Sequence, residues 1–245
     1  MEALQKIGQY GLLLYRALRS LYEFRTYRQN LLNELVKIGY ESVPIVILTG
    51  VFTGAVMTLQ TSYQLDIVYV PRSVIGSIVS QSLLIELSAV ITSLVLAGKV
   101  GARIATELGT MRVSEQIDAL ESMGFNSVSF LVVPRVLSGL IMFPILYIVA
   151  SVSGIGGGLV AGILSGALPA SEFMLGARQF FFPWDVTFGF LKSFVFGFVI
   201  TSISCFKGYF VKGGAEGVGK GTTQATVLSC IYVLLADFVL AAVVL

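Results

Sequence analysis

Three charged side chains fall inside stretches that are otherwise apolar and uncharged: Glu86, Lys192 and Asp237. A charge at the centre of a bilayer costs about 2.5–3.5 kcal/mol on insertion scales, so each of them needs a partner or a function. Such groups pair with one another, carry protons or bind the charged part of a ligand. Purely structural roles are also open, because Lys192 could extend its ammonium group to the membrane surface and Asp237 could pair within a helix bundle.

Most enzyme chemistry is excluded by composition. The 245 residues contain no histidine, the commonest general base and metal ligand, and only two cysteines. We therefore expect no catalytic residue, no metal site and no cofactor in this chain. Residues Gly214 to Lys220 fit the first seven positions of a phosphate-binding P-loop, but Gly221 stands where Ser or Thr must hold magnesium. We interpret this segment as a flexible, basic loop.

Long apolar stretches surround the three charges. Apolar residues make up 56% of the chain and charged residues 12%, whereas a soluble domain carries roughly 25% charged residues. A helix of about 20 apolar residues crosses a hydrocarbon core of roughly 30 Å. We predict an all-α integral membrane protein whose five-span domain covers residues 43–245. The predicted spans are about 43–65, 74–98, 136–164 (with a kink at Pro144), 187–206 and 223–244.

Basic residues gather on one side of this arrangement. With the N-terminus in the cytoplasm, thirteen of the sixteen lysines and arginines fall on the cytoplasmic side. These are Lys6, Arg16, Arg19, Arg25, Arg28, Lys37, Lys99, Arg103, Arg112, Arg135, Lys207, Lys212 and Lys220. The positive-inside rule therefore predicts a cytoplasmic N-terminus and a C-terminus on the opposite side. Trp184 then lies in an outer loop from Pro169 to Asp185, where an interfacial aromatic belt is expected.

Residues 1–42 lack the apolar run of a signal peptide. We predict an amphipathic helix that lies in the membrane interface, with a solvated arm as the alternative. Its apolar residues lie near one face: Ile7, Tyr10, Gly11, Leu14, Leu18 and Leu21.

A charged segment, residues 99–126, connects the second and third predicted spans and still has helical spacing. Its apolar residues recur at i, i+4 and i+7: Val113, Ile117 and Leu120. Ser114 is the predicted N-cap of this helix, and Glu115 and Asp118 lie in its predicted first turn. Gly124 is predicted to end the helix. We expect nothing in the chain to cover the apolar face of this short helix. It would lie on the lipid surface or dock into a groove of a soluble partner, and its partly acidic character favours the partner.

Glycines four residues apart mark two of the predicted spans. They are Gly50 and Gly54 in the first span and Gly154, Gly158 and Gly162 in the third. Small residues at this spacing let helix backbones approach closely in lipid, so we predict close helix packing at these positions.

Several stretches resemble the MlaE permease family. They are TGVFTGAVMTLQ (49–60), LLIELSAVITSLVLAGKVGARIATELGTMRVSEQIDALESMG (83–124), LKSFVFGF (191–198) and LADFVL (235–240). Their order and spacing agree with the family over nearly the whole chain. Family members often carry Arg directly before the glutamate, whereas this chain has Ile85 before Glu86. They often carry Gly-Pro after the next leucine, whereas this chain has Ser88-Ala89 after Leu87. No role of that arginine carries over.

The resemblance implies the homodimeric permease subunit of an ABC transporter in the bacterial inner membrane. It would move phospholipids between the inner and outer membranes and so maintain outer-membrane lipid asymmetry. Implied partners are a second copy, a cytoplasmic ATPase dimer that uses ATP-Mg, a periplasmic MCE-domain subunit and a small STAS-domain protein, but no nucleic acid. The ATPase would dock around residues 107–124. The coupling candidates are Glu107, Arg112, Glu115, Asp118, Leu120 and Glu121.

The charges inside the spans suggest where lipid binds, and the resemblance places Glu86 and Lys192 at matching positions in the family. A phospholipid head group is expected to meet Glu86 and Lys192 in a polar pocket that opens toward the outer side. Further candidates for this pocket are Gln60, Thr61, Tyr63 and Asp237.

Three other classes of protein remain open. An ion-coupled secondary transporter could carry protons on Glu86 and Asp237, although no inverted repeat is visible and five spans are an awkward unit for one. A membrane-embedded lipid enzyme is disfavoured by the absence of histidine. A scaffold that only anchors a soluble partner would not need charges inside its spans.

Overall fold

The computed structural model describes residues 2–20, 24–65 and 71–244, all of whose secondary structure is helical. Leu21 of the predicted apolar face lies outside these residues. The described residues form eleven α-helices in chain order: α1 (Glu2–Arg19), α2 (Phe24–Ile38), α3 (Val43–Leu65), α4 (Ser73–Ser82), α5 (Ser88–Leu96), α6 (Ala102–Val113), α7 (Gln116–Ser122), α8 (Val133–Leu164), α9 (Ala170–Gln179), α10 (Pro183–Tyr209) and α11 (Gly214–Val244).

Short irregular turns join some of these helices end to end. A 3₁₀ turn (Tyr40–Ser42) precedes α3, and π turns lie at Leu83–Leu87, Ala97–Gly101 and Val128–Val132. Five helical stretches are long and apolar enough to cross a membrane: Arg28–Leu65, Ser73–Val113, Val128–Leu164, Pro183–Tyr209 and Gly214–Val244. The prediction of an all-α chain is confirmed for the described residues, which contain five candidate membrane-spanning helices.

The helices extend beyond the predicted spans. The second stretch continues through α5 and α6 to Val113, so the first half of segment 99–126 prolongs a spanning helix. Interpreting Gly214 to Lys220 as a flexible loop was wrong, because these residues form the first turns of α11, with Lys220 Nζ 2.6 Å from Glu216 Oε1. The helix α8 is continuous and contains Pro144.

The predicted outer loop contains a helix, α9, that the sequence analysis missed. Paired glycines explain its packing on α4. A Cβ at Gly76 would overlap the backbone of Phe173, and a Cβ at Gly176 would overlap the backbone of Ser73. The backbone of α9 thus packs against Gly76 of α4, and the backbone of α4 packs against Gly176 of α9. Glycine allows both close contacts because it has no side chain.

Backbone contacts divide the chain into two compact units. The first unit comprises residues 1–40, 94–142 and 195–245, and the second comprises residues 41–93 and 143–194. The second unit has an apolar core of buried residues: Ile75, Val79, Leu83, Leu168 and Phe173. In the first unit α6 packs against α11, where the hydroxyls of Thr106 and Thr222 are 2.8 Å apart.

The N-terminal helix α1 packs within the first unit. The hydroxyls of Tyr10 and Ser202 are 2.8 Å apart, and the Tyr10 ring meets Phe206 edge-on. Leu13 and Ala17 are buried. Ile7, from the apolar face predicted for this helix, is 69% exposed. Part of that face is therefore available to lipid, while the face centred on Leu13 packs on protein.

Candidate functional site

Glu86 and Lys192 form an ion pair within the second unit. The ammonium nitrogen Nζ of Lys192 donates to Oε2 of Glu86 at 2.5 Å and lies 4.6 Å from the centre of the Phe188 ring. The Lys192 side chain has no exposed surface, whereas the Glu86 side chain retains 37%. Glu86 is therefore the accessible member of the pair.

A π turn, Leu83–Leu87, positions Glu86. A π turn changes the backbone hydrogen-bonding pattern of a helix, and such turns are frequent at functional sites. Here the Tyr147 hydroxyl donates to the carbonyl oxygen of Leu84 at 2.7 Å. A Cβ at Gly189 would overlap both the Leu84 carbonyl oxygen and the Tyr147 hydroxyl. The glycine thus lets α10 approach the π turn, one helical turn before Lys192.

A second polar contact joins the same two helical stretches. The side-chain amide of Gln81 donates to Oδ2 of Asp185 at 3.4 Å, and Asp185 is only 8% exposed. In the sequence, Asp185 marks only the end of the predicted outer loop. Its burial and its partner depend on the packing of α4 against α10, which no local pattern reveals.

The other residues predicted for a lipid pocket lie in different environments. Gln60 and Tyr63 are exposed on α3, whereas Thr61 is buried. Asp237 belongs to α11 in the first unit. Cavities of about 640 and 780 Å³ also lie in the first unit, and neither is lined by Glu86 or Lys192. Of the predicted set, the structure pairs Glu86 with Lys192.

The glycines predicted for helix packing lie where α3 approaches α8. A Cβ at Gly54 would overlap the carbonyl group of Gly154, and one at Gly50 would overlap Ser153 and Ala150. Gly158 faces the hydroxyl of Thr58, and Gly162 faces its methyl group. Residues with higher numbers in α3 contact residues with higher numbers in α8, so the two helices run parallel.

The short helix predicted between the second and third spans exists as α7, but its start differs from the prediction. Ser114 is the C-cap of α6, and Glu115 is the N-cap of α7 with a left-handed φ of 59°. The prediction of Ser114 as N-cap was wrong because α6 continues up to Val113. The predicted stop is correct: Gly124 has a φ of +82°, and its amide donates to Glu121 in a Schellman-type end.

The apolar face of α7 is partly covered by the chain itself, contrary to expectation. Ile117 is completely buried, whereas Val113 is 41% exposed. Glu121 accepts hydrogen bonds from the hydroxyls of Ser127 at 2.6 Å and Tyr209 at 3.0 Å. The Ser127 hydrogen bond is the main cause that lowers the pKa of the Glu121 carboxyl. These contacts hold α7 within the first unit.

Two charged coupling candidates lie on the outside of this segment. Glu115 and Asp118 are exposed, and Asp118 accepts a hydrogen bond from Arg112 at 2.7 Å. Leu120 is half-buried. These side chains leave a polar surface around α7 that a partner could contact.

Glu107, in contrast, belongs to a buried ion network in the first unit. Arg135 Nη2 lies 3.1 Å from Glu107 and 3.4 Å from Glu34, and Arg103 Nη2 lies 3.1 Å from Glu34. Lys37 Nζ completes the set at 3.6 Å from Glu107. Arg135 and Glu34 are each 5% exposed. The network ties α2, α6 and α8 together, and sequence analysis did not anticipate it.

Comparison with known proteins gives a consistent result. The family model described as Permease MlaE matches residues 31–243. The chain is 38% identical to a probable ABC transporter permease protein of Rickettsia bellii, over 96% of this chain and 91% of that protein. It is 31% identical to the intermembrane phospholipid transport system permease protein MlaE of Haemophilus influenzae, over 99% and 93%. It is 36% identical to the chloroplastic protein TRIGALACTOSYLDIACYLGLYCEROL 1 of Arabidopsis thaliana, over 86% and 60%.

Proposed function

Because this chain belongs to the MlaE permease family, we propose that it is the membrane-spanning subunit of an ABC transporter that moves phospholipids between the inner and outer membranes. In this role it maintains outer-membrane lipid asymmetry and hydrolyses no ATP itself. Its N-terminus is cytoplasmic and its C-terminus periplasmic, as the basic residues predict.

The pairing of Glu86 with Lys192 is the observation that carries this proposal. Lys192 stabilises the Glu86 carboxylate in a spanning segment, and the Glu86 side chain stays 37% exposed. A zwitterionic head group offers an ammonium group to that carboxylate and a phosphate to the lysine once the pair opens. The acyl chains then lie along apolar helix surfaces, which need no polar partner.

A second copy of the chain completes this site in our proposal. The Glu86 side chain is exposed in the single chain, and the two cavities of the first unit do not include it. A homodimer would enclose the exposed carboxylate between two subunits and exclude bulk water. A periplasmic MCE-domain subunit would receive or deliver the lipid at the outer side, and a STAS-domain protein would bind the ATPase.

Coupling to ATP hydrolysis is proposed to pass through α7. A cytoplasmic ATPase dimer would bind the exposed side chains of Glu115 and Asp118, together with the half-buried Arg112 and Leu120. Ile117 is buried and the Glu121 carboxylate is hydrogen-bonded to Ser127 and Tyr209. A displacement of α7 is therefore transmitted to α10, on which Tyr209 lies.

The test is ATP-driven transfer of a fluorescent phospholipid in proteoliposomes that contain the chain with its ATPase and MCE-domain subunits. Glu86→Gln and Lys192→Met are each expected to lower the rate at least tenfold, because each removes one charge of the pair. Arg178→Gln, a change of an exposed cation on α9, is the matched control and should keep the wild-type rate. Wild-type rates in both pair variants would refute the head-group site.

The double variant Glu86→Gln/Lys192→Met separates folding from transport. Removing one partner breaks the ion pair and lowers the unfolding free energy by about 3–5 kcal/mol, whereas removing both restores much of the loss. Transfer should remain low in the double variant, because neither charge is present. Recovery of transfer together with stability would show that the pair is only structural.

The competing secondary transporter predicts a different requirement. Transfer by the purified chain alone, driven by an ion gradient and abolished by an ionophore, would support it and refute the ABC assignment.

Coupling to the ATPase is tested with Asp118→Cys in a Cys230→Ala background, since Cys205 is buried. This cysteine should cross-link to the ATPase, whereas Ser165→Cys, beyond the other end of α8, should not.

A further inference from the structure

A long apolar groove of about 780 Å³ lies in the first unit between α1, α10 and α11. Val199 and Ile203 of α10 form one wall, and Leu228, Leu235 and Val239 of α11 form another. Tyr10 of α1 lines the groove as well and is fixed by its hydrogen bond to Ser202. The volume lies within the range of about 300–1,000 Å³ that is usual for ligand sites.

A polar cavity of about 640 Å³ shares Phe206 and Lys207 with this groove. Its lining carries three cations, Lys207, Lys212 and Lys220, with the amides of Gln5, Gln9 and Gln224. No carboxylate belongs to the lining among the residues that the structure describes. Lys220 does pair with Glu216 at 2.6 Å beside the cavity, and Lys207 donates to the neutral amide oxygen of Gln224 at 3.2 Å.

The dimensions of the groove fit one leaflet of a bilayer. Val199 and Lys207 are eight residues apart on α10, or roughly 12 Å at 1.5 Å per residue. Leu228 and Val239 are eleven residues apart on α11, or roughly 16 Å. Half of a hydrocarbon core of roughly 30 Å is about 15 Å. An acyl chain that starts at Lys207 would therefore reach the middle of the membrane along these walls.

We propose that the groove and the lysine cavity together bind one anionic phospholipid of the leaflet at the Lys207 end of the protein. Its phosphate and head group contact Lys207 and Lys212, and an acyl chain fills the groove between α10 and α11. Basic pockets between membrane helices are suited to anionic head groups. A spanning helix of a partner would gain no hydrophobic stabilisation from an apolar groove in lipid and would bring no phosphate to the lysine cavity.

This site is separate from Glu86 and Lys192, which lie in the other unit. It does not depend on the proposed transport function, because binding is a property of the purified chain without an ATPase. Failure of ATP-driven transfer would leave this proposal standing, and failure of lipid binding would leave the transport proposal standing.

The experiment uses the full chain in nanodiscs that contain phosphatidylglycerol or phosphatidylcholine bearing the same diazirine-labelled acyl chain. After photolysis, adducts are mapped by mass spectrometry. Phosphatidylglycerol is expected to label residues 228–239 at least fivefold more than phosphatidylcholine. Lys207→Gln/Lys212→Gln should reduce this labelling to the phosphatidylcholine level. Lys99→Gln, which removes an exposed cation outside the cavity lining, is the matched control and should retain the preference.

A second pair of variants tests whether a bulky side chain in the groove prevents lipid binding. Ala236→Phe fills a position that lines the groove, so it should abolish the adduct without changing any charge. Ala242→Phe, at an exposed position of the same helix outside the lining, should leave the adduct intact. Excess glycerol phosphate should not compete, because it lacks the acyl chain.

Three results would overturn the proposal. Equal labelling by the two lipids would show a non-specific lipid shell. Preferential labelling that survives both the lysine and the Ala236 changes would place the lipid elsewhere. Disulfide or bifunctional cross-linking of Leu235→Cys to a second copy, at the expense of lipid adducts, would show that the groove is filled by the homodimer.

Discussion

The Nη2 atom of Arg135 lies 3.1 Å from Oε2 of Glu107. Glu107 was predicted to contact a partner ATPase, yet its carboxylate is bound inside the chain by a residue at the start of α8. We therefore expect substitutions at Glu107 to act first on the packing of α6 against α2 and α8. The exposed residues of α7 are better placed to contact a partner.

The ion network predicts a large loss of stability when one member is removed. Glu34→Gln leaves Arg103 and Arg135 without their shared carboxylate, and Arg135 is almost fully buried. Breaking a buried pair in this way lowers the unfolding free energy by about 3–5 kcal/mol. The measurement is unfolding in mixed detergent micelles.

A matched control for this network is Glu216→Gln, which breaks the exposed pair with Lys220. Exposed pairs contribute little, so this change should stay within about 0.5 kcal/mol of wild type. Equal unfolding midpoints for the Glu34 and Glu216 variants would contradict a stabilising role for the network.

Two glycine positions predict opposite effects of the same substitution. Gly54→Ala introduces a Cβ that overlaps the carbonyl of Gly154, so α3 and α8 must separate. We expect a loss of about 1–3 kcal/mol in unfolding free energy. Gly156→Ala, on α8, meets nothing within 4 Å and should raise stability by up to about 1 kcal/mol through helix propensity. A loss at both positions would indicate a general intolerance of α8 and α3 to alanine.

Glu121 predicts a pH dependence of α7. The lowered pKa of this carboxyl in the folded chain means that its contribution to stability is fully present above its ordinary pKa of about 4. That contribution is lost as the pH falls through the lowered pKa. Hydrogen–deuterium exchange of residues 116–126, corrected for intrinsic rates, should therefore increase in acid.

The control for this pH dependence is Glu121→Gln, which removes the titrating group. Exchange in this variant should already be faster at neutral pH, and it should change less in acid than exchange in wild type. Ser127→Ala, which removes the main cause of the shift, should move the wild-type transition to higher pH. Identical pH profiles in wild type and Glu121→Gln would assign the transition to another acid.

Glu115 predicts a stabilising substitution. A non-glycine residue with a φ of 59° is disfavoured by about 1–2 kcal/mol. Glu115→Gly removes this strain, so we expect unfolding free energy to rise by about 1 kcal/mol. Gln116→Gly, one residue into α7, should instead lower it, because glycine disfavours helix. Destabilisation by Glu115→Gly would mean that the side chain makes a contact worth more than the strain.

The five spans could be predicted because each is a long window with few charges, and a helix in lipid must satisfy its own backbone. The limits were less predictable, since α6 and the start of α11 contain charged residues that are satisfied on the protein. The π turn at Leu83–Leu87 could not be predicted, because its stabilising partners, Tyr147 and Gly189, come from other helices.

The candidate site was accessible to sequence reasoning only in part. Glu86 and Lys192 stand out because a charge inside an apolar window is costly. Glu34 does not, since it lies in a segment that already carries charges, and Arg135 was counted only as one of the basic residues of the cytoplasmic side. Their burial depends on the meeting of α2, α6 and α8, which are far apart in sequence. The burial of Ile117 was also missed, because it depends on residues that are distant from α7 in sequence.

The cations of the ion network have a consequence for evolution. Lys37, Arg103 and Arg135 belong to the basic residues that predict which way the chain inserts, and in the folded protein the same side chains hold α2, α6 and α8 together. A lineage that moved these charges one at a time to reverse its insertion would pass through unstable intermediates. The orientation of the chain in its membrane is therefore coupled to its tertiary structure.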